Sequence, residues 1–266
     1  MDRTLDRPRP VYFDPAPPRV LAHRGLALRA PENTLAAFRA ALEAGATHLE
    51  TDAHASADGH AVLWHDPDLG RFDGSSARIA ELSLEQLRRR RVDGHAIPTL
   101  AEALEAFPGA RFNIDLKSAG AVPAVAAALE DAAAGDRVLV ASFSERNLAA
   151  FRRRLPRVAV SASRWRVLRA LLAVELGCEA MLARALRGVA ALQIPERSVG
   201  ITLVAPGRLA AFKRHVREVH VWTVNEPERM RRLLAAGVDG LVTDRADLAA
   251  PIARSGAEGH RQVTLR

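Results

Sequence analysis

The chain has 266 residues, 48% of them hydrophobic, which is enough for one large α/β domain and its core. It contains no run of eighteen apolar residues, its N-terminus MDRTLDRPRP lacks a signal-peptide core, and its single cysteine, Cys178, excludes an internal disulfide. These features predict a cytoplasmic protein without stable membrane insertion. The net charge is +7, with Lys117 and Lys213 the only lysines beside 36 arginines. The arginine clusters at 88–91, 152–154 and 229–232 carry no interleaved aromatics. They read as solvated helix faces rather than a nucleic-acid surface. The basic balance favours anionic substrates. No sequence patch marks a subunit interface.

Residues 1–18 hold five of the fifteen prolines and read as an irregular arm. A short apolar strand at 20–23 ends at Arg24-Gly25. Pro31-Glu32-Asn33-Thr34 then starts a helix, with Leu35, Phe38 and Leu42 at helical spacing and Gly45 as its stop. The next strand, 48–54, carries Glu50 and Asp52. Side chains two apart in a strand share a face, so both carboxylates and His54 project into one space. Such a pair is stable when it shares a proton or a cation.

Asp58-Gly59 predicts a hairpin turn, with 61–65 returning antiparallel and ending at His65-Asp66. Residues 67–98 form an excursion with a short helix at 82–89, and Thr99 caps a helix over Leu100–Ala106. Strands then alternate regularly with helices. The strands are 111–117, 138–143, 158–163, 191–195, 219–224 and 240–243. The helices are 122–133, 145–154, 165–176, 206–215, 226–236 and 245–253, with a frayed tail beyond Ser255. Eight βα units in a chain of this length predict an α/β fold of the (β/α)8 TIM barrel type over 19–254, with an insertion at about 55–110 after the second strand. An open doubly wound sheet is the alternative, and no Gly-rich dinucleotide fingerprint supports it.

Barrel active sites lie at the C-terminal strand ends. Those ends carry His23 and Arg24; Glu50, Asp52 and the returning His65; Asn113, Asp115 and Lys117; His220, Trp222 and Asn225; and Thr243-Asp244. Ser142, Ser144, Ser161, Ser163 and Glu196 at the remaining ends are less telling. Three carboxylates at one rim suit Mg²⁺ or Ca²⁺. His23 and His65 suit acid–base chemistry, and Arg24 and Lys117 supply charge for a phosphate. The other histidines, His48, His54, His60, His95, His215, His220 and His260, read as surface or structural residues. Trp222 reads as packing or pocket wall, and Asp244 as the cap of the last helix.

With these residues in place, the chain resembles the glycerophosphodiester phosphodiesterase family. The resemblance rests on AHRG (22–25), PENTLAAF (31–38), GATHLETDAHASADGHAVLWHD (45–66), IPTLAEAL (97–104), NIDLK (113–117), VWTVNEPE (221–228) and GVDGLVTDRADL (237–248). It implies a metal-dependent barrel that cleaves glycerophosphodiesters to glycerol 3-phosphate and an alcohol. By motif position His23 and His65 would be the acid–base pair, and Glu50, Asp52 and Asp115 the metal ligands. Arg24 and Lys117 would hold phosphate, and Trp222 would line the glycerol pocket. The third ligand is often Glu in the family, whereas this chain has the shorter Asp115. Two other readings stand beside this one: a lysophospholipase D-type phosphodiesterase, with Leu168, Leu171 and Leu172 as a possible acyl wall, and a non-catalytic anion-binding barrel.

Overall fold

The computed structural model describes residues 10–14, 16–198 and 200–264, with side chains as far as Ser255. Eight parallel strands form the barrel wall: β1 (Arg19–Ala22), β2 (His48–Ala55), β3 (Phe112–Leu116), β4 (Val138–Ala141), β5 (Ala159–Val160), β6 (Ala191–Pro195), β7 (Glu218–Trp222) and β8 (Gly240–Thr243). Each pairs with its sequence neighbour, β8 pairs with β1, and a parallel bridge between Ser161 and Ala191 joins β5 to β6. The sheet therefore closes as a (β/α)8 TIM barrel.

The outer helices are α1 (Leu35–Glu43), α2 (Leu100–Ala106), α3 (Ala121–Asp131), α4 (Glu145–Arg154), α5 (Arg164–Glu175), α6 (Glu179–Leu186), α7 (Pro206–Lys213), α8 (Pro227–Ala235) and α9 (Ala246–Thr264). Thr34 caps α1 by accepting from the Ala37 amide, and Thr99 and Glu102 cap α2 reciprocally. The main core lies between helices and wall, where Leu49, Ile114, Val140, Ile194 and Leu241 point outward. None of the described helices is long and apolar enough to cross a membrane.

Several local expectations need correction. Helix α6 interrupts a stretch that reads as a plain connection, because Gly177 takes φ +61° and turns the chain after α5. Helix α9 continues to Thr264, past the Ser255 where sequence periodicity fades, and it contains Pro251. The arm is not wholly irregular. Val11–Phe13 form a 3-10 turn, and Tyr12 and Phe13 are buried against Leu139, Ala159 and Ala191 at the base of the barrel. Residues 1–9 of that arm lie outside the described residues.

The hairpin after β2 forms as expected, with Ala53 opposite Leu63 and Ala55 opposite Ala61. The insertion that follows has its own small core of Val62, Trp64, Leu69, Ile79, Leu87 and Ile97. Helix α2, by contrast, packs into the main core through Leu100, Ala103 and Leu104.

The barrel interior is polar at its base. Arg19 of β1 is 1% exposed, and its Nε and Nη2 donate to both Glu218 oxygens at 2.5 and 2.6 Å. Glu218 also bonds His220 Nε2 at 3.0 Å. Above this pair, Gln193 Nε2 donates to Asn113 Oδ1 at 2.8 Å. Burial would raise the Glu218 carboxyl, but hydrogen bonds from His220 and Arg19 hold it down at about 2. His48 and His220 are fully buried, so they are structural residues and not surface ones. His48 Nε2 donates to the Tyr12 carbonyl at 2.7 Å, and burial lowers its pKa to about 3. Gly240 gives His220 its space, since a Cβ there would lie 2.8 Å from the ring.

Candidate active site

The β1–α1 turn is built by close approach. Gly25 takes φ +86°, and a Cβ at that position would meet the Ala37 backbone at 2.7 Å. Arg24 and Asn33 both sit in the left-handed region, at φ +56° and +58°, and the Asn33 amide donates to the Arg24 carbonyl at 2.9 Å. Non-glycine residues held there mark a functional turn. Asn33 does not start the helix, which is the work of Thr34. Its side chain reaches β2, with Nδ2 donating to Asp52 Oδ2 at 3.1 Å and Oδ1 accepting from Thr51 Oγ1 at 2.7 Å. Asn33 thus orients a carboxylate, a role hidden in sequence behind its value as a helix starter.

Glu50 and Asp52 share the inner face of β2, and the register places Asp115 of β3 beside Asp52. Lys117 bridges the two aspartates, with Nζ 2.8 Å from Asp52 Oδ1 and 2.7 Å from Asp115 Oδ2. Arg24 Nε lies 2.9 Å from Asp52 Oδ2, and the Arg24 amide donates to Glu50 Oε2 at 3.0 Å. Burial alone would raise the Asp52 carboxyl, but Lys117 and Arg24 lower it. The Lys117 ammonium is raised: burial pulls it down, and Asp115 and Asp52 more than compensate.

Among the described residues, the donor to Glu50 is the Arg24 backbone amide. Burial, and then the neighbouring Asp52 charge, push its carboxyl up to about 8. A buried carboxyl lifted this far, beside two more hard oxygen donors, is where a divalent cation would relieve repulsion. Glu50, Asp52 and Asp115 are hard oxygen donors of the kind that suits Mg²⁺ or Ca²⁺, but among the described residues no three such side chains are drawn together as a ligand set, and Lys117 holds one oxygen of each aspartate as internal counter-charge.

Both rim histidines are paired with a carboxylate. His23 Nδ1 lies 2.7 Å from Asp244 Oδ1, and Asn225 Nδ2 holds the other Asp244 oxygen at 2.7 Å. Burial lowers the His23 pKa, but Asp244 and Glu50 outweigh it, so the net shift is upward. His65 Nδ1 lies 2.6 Å from Asp66 Oδ1, and the His65 carbonyl bonds His54 Nε2 at 3.1 Å. With Nδ1 given to a carboxylate, Nε2 is the free ring nitrogen on each histidine. Asp244 is thus a partner of His23, a role that sequence reading as a helix cap misses. Trp222 closes β7 at the rim, its ring 6.2 Å from that of Phe143, which is 61% exposed. A cleft of about 660 Å³ opens between the β1–α1 turn and the insertion, lined by Leu28, Pro31, Glu32, Trp64, Arg71 and Phe72 among others.

Of the remaining histidines, His215 pairs with Glu179 at 2.6 Å between α7 and the N-terminal end of β7, the end opposite the rim. The His260 side chain lies outside the described residues. Leu168 and Leu172 are exposed on α5 whereas Leu171 packs into the main core, so the three do not form one wall.

Eight βα units, buried carboxylates clamped by Arg24 and Lys117, and two carboxylate-paired histidines at one rim define a barrel enzyme suited to a phosphate ester. The model of the glycerophosphoryl diester phosphodiesterase family matches residues 23–248. A probable glycerophosphodiester phosphodiesterase 2 of Mycobacterium tuberculosis is 40% identical over 231 residues, covering 86% of this chain and 88% of that protein. The crystal structure of a Thermotoga maritima glycerophosphodiester phosphodiesterase superposes with TM-score 0.65 at 27% identity, covering 86% of this chain and 95% of the other. An Oleispira antarctica phosphodiesterase, solved with its product sn-glycerol-3-phosphate, shares the fold at TM-score 0.71 and 24% identity over 91% and 97% of the two chains. The chain belongs to the glycerophosphoryl diester phosphodiesterase family.

Proposed function

We propose that this protein hydrolyses glycerophosphodiesters to sn-glycerol 3-phosphate and an alcohol, with His23 and His65 as the acid–base pair. The observation that carries the reading is the pairing of both rim histidines, His23 with Asp244 and His65 with Asp66, around the cluster of Glu50, Asp52, Asp115, Arg24 and Lys117. Each carboxylate fixes its ring and directs Nε2 to the reacting groups.

Glu50, Asp52 and Asp115 would hold a divalent ion, Mg²⁺ or Ca²⁺. Once bound, it supplies Lewis-acid polarisation of a phosphoryl oxygen. Arg24 and Lys117 would bind the phosphate oxygens and stabilise charge that grows there during displacement. One histidine takes the proton from the attacking oxygen, which is either water, giving glycerol 3-phosphate directly, or the glycerol 2-hydroxyl, giving a cyclic phosphate that water opens to glycerol 3-phosphate in a second step. The other gives a proton to the alcohol oxygen as the phosphorus–oxygen bond breaks. Trp222 would flank the glycerol moiety.

The test is glycerol 3-phosphate release from glycerophosphocholine and related diesters. His23→Ala and His65→Ala should each lower kcat by at least about 10²-fold. Near-normal turnover in both variants would sink the assignment.

The exposed Phe143 ring beside Trp222 favours one second reading, acceptance of lysophospholipids whose acyl chain rests on that apolar step. Choline release from lysophosphatidylcholine at a rate matching glycerophosphocholine would support it, and a strong preference for glycerophosphocholine would not.

A further inference from the structure

Arg71 sits on a single helical turn, Gly70–Asp73, within the insertion. The insertion core holds it there: Leu69 is fully buried, and the Phe72 ring stands edge-on to Trp64 at 6.2 Å. Trp64 Nε1 in turn donates to the Asp68 carbonyl at 2.9 Å. Arg90 pairs with Asp73 at the other end of the turn. The residues on both sides of Arg71 are therefore anchored, although its own side chain is 56% exposed.

From that anchor the guanidinium reaches two carboxylates belonging to different parts of the site. Arg71 Nε donates to Asp66 Oδ2 at 2.7 Å, and the other Asp66 oxygen bonds His65 Nδ1 at 2.6 Å. Arg71 Nη2 donates to Glu32 Oε1 at 2.5 Å, and Glu32 accepts Arg24 Nη1 at 3.0 and 3.2 Å. The result is one unbroken chain, His65–Asp66–Arg71–Glu32–Arg24. It joins the histidine at the end of the hairpin to the arginine of the β1–α1 turn, two elements from opposite sides of the cleft. A planar fork donates to the two carboxylates from separate nitrogens on two edges, whereas an ammonium would have to bring one nitrogen within reach of both.

We propose that Arg71 is a positioning residue for phosphodiester cleavage, fixing His65 through Asp66 and Arg24 through Glu32 so that acid–base group and phosphate clamp keep one mutual geometry. The proposal rests on the roles given above to His65 and Arg24. It also assigns the insertion a part in turnover, since the insertion core is what holds Arg71 in place.

The test uses the full chain with glycerophosphocholine. Arg71→Ala should lower kcat about tenfold with a smaller change in KM, the scale of loss when reacting groups are slightly misplaced. Arg71→Lys, which keeps charge but loses the fork's separate donors to the two carboxylates, should fall between wild type and Arg71→Ala. In an Asp66→Ala, Glu32→Ala background the same Arg71→Ala change should cost less than about threefold, because its routes to His65 and to Arg24 are then both cut. Arg89→Ala, which removes an exposed ion pair with Glu85 in the same insertion, should leave turnover unchanged. A His65 ring NMR signal that moves in Arg71→Ala and not in Arg89→Ala gives a reading independent of activity.

Turnover within about twofold of wild type in Arg71→Ala, or an equal penalty with and without the two carboxylates, would overturn the proposal. So would an unmoved His65 signal. If Arg71→Ala melts well below wild type, the comparison rests on Arg71→Lys and Arg71→Gln with the same criteria. A wild-type protein that releases no glycerol 3-phosphate, yet shows the His65 shift, would remove the functional reading and leave the positioning intact.

Discussion

Glu218→Gln tests the polar base of the barrel. The carboxyl accepts both Arg19 donors and His220, and its pKa falls from an ordinary 4.5 to about 2. A group held that low in the fold adds stability that is complete above its unfolded pKa and fades as pH falls toward its folded one. At pH 7 the difference is worth about 3 kcal/mol, and at pH 3 about 1 kcal/mol. An independent argument gives the same scale. Gln leaves the Arg19 guanidinium buried with no counter-charge, and breaking a buried pair from one side costs about 3–5 kcal/mol. With an unfolding entropy of about 2.1 cal/mol/K per residue, about 3 kcal/mol corresponds to a Tm lower by roughly 5 °C. Urea unfolding of wild type and Glu218→Gln at pH 7 and pH 3 reads the gap directly. A gap below about 1 kcal/mol at pH 7, or one that does not shrink at pH 3, would refute the reasoning.

Asp244→Asn should keep the rim in place but cost about tenfold or more in kcat, because His23 loses the charge that fixes and raises it; an unchanged pH–rate profile would contradict this. Binding of Mg²⁺ or Ca²⁺, followed by titration calorimetry, should strengthen from pH 6 to pH 8 as Glu50 gives up its proton, and Glu50→Gln should lose both the binding and that pH dependence. Thr34→Ala removes the cap of α1 and should cost about 1 kcal/mol in chemical denaturation, with a further drop in turnover if the adjacent Asn33 loosens its hold on Asp52.

Much of the barrel is legible in the sequence because its signals are local. Apolar strands such as Val138–Ala141 alternate with helices of clear period, and the Glu50/Asp52 pair announces itself by a spacing of two in a strand. Thr99 with Glu102 and the Asp58-Gly59 turn are short-range signals too. What escapes sequence reading depends on distant contact. Asp244 meets His23 across 221 positions, and Arg19 meets Glu218 across 199. No periodicity relates such partners. Arg71 looks like one more arginine in a chain of 36 until its two carboxylates are seen. Tyr12 and Phe13 escape because a proline-rich arm carries no pattern, though both rings fill the barrel base. Asn33 is misread for a different reason, since its residue type suits a helix start and a carboxylate-orienting turn equally.

The most direct test of the whole account is glycerol 3-phosphate release from glycerophosphocholine, with Mg²⁺, Ca²⁺ or EDTA, in wild type, His23→Ala and His65→Ala. The account predicts release that a divalent ion sustains, that EDTA abolishes, and that either histidine variant lowers by at least about 10²-fold. Release that ignores EDTA, or survives at near-normal rate in both variants, would contradict it.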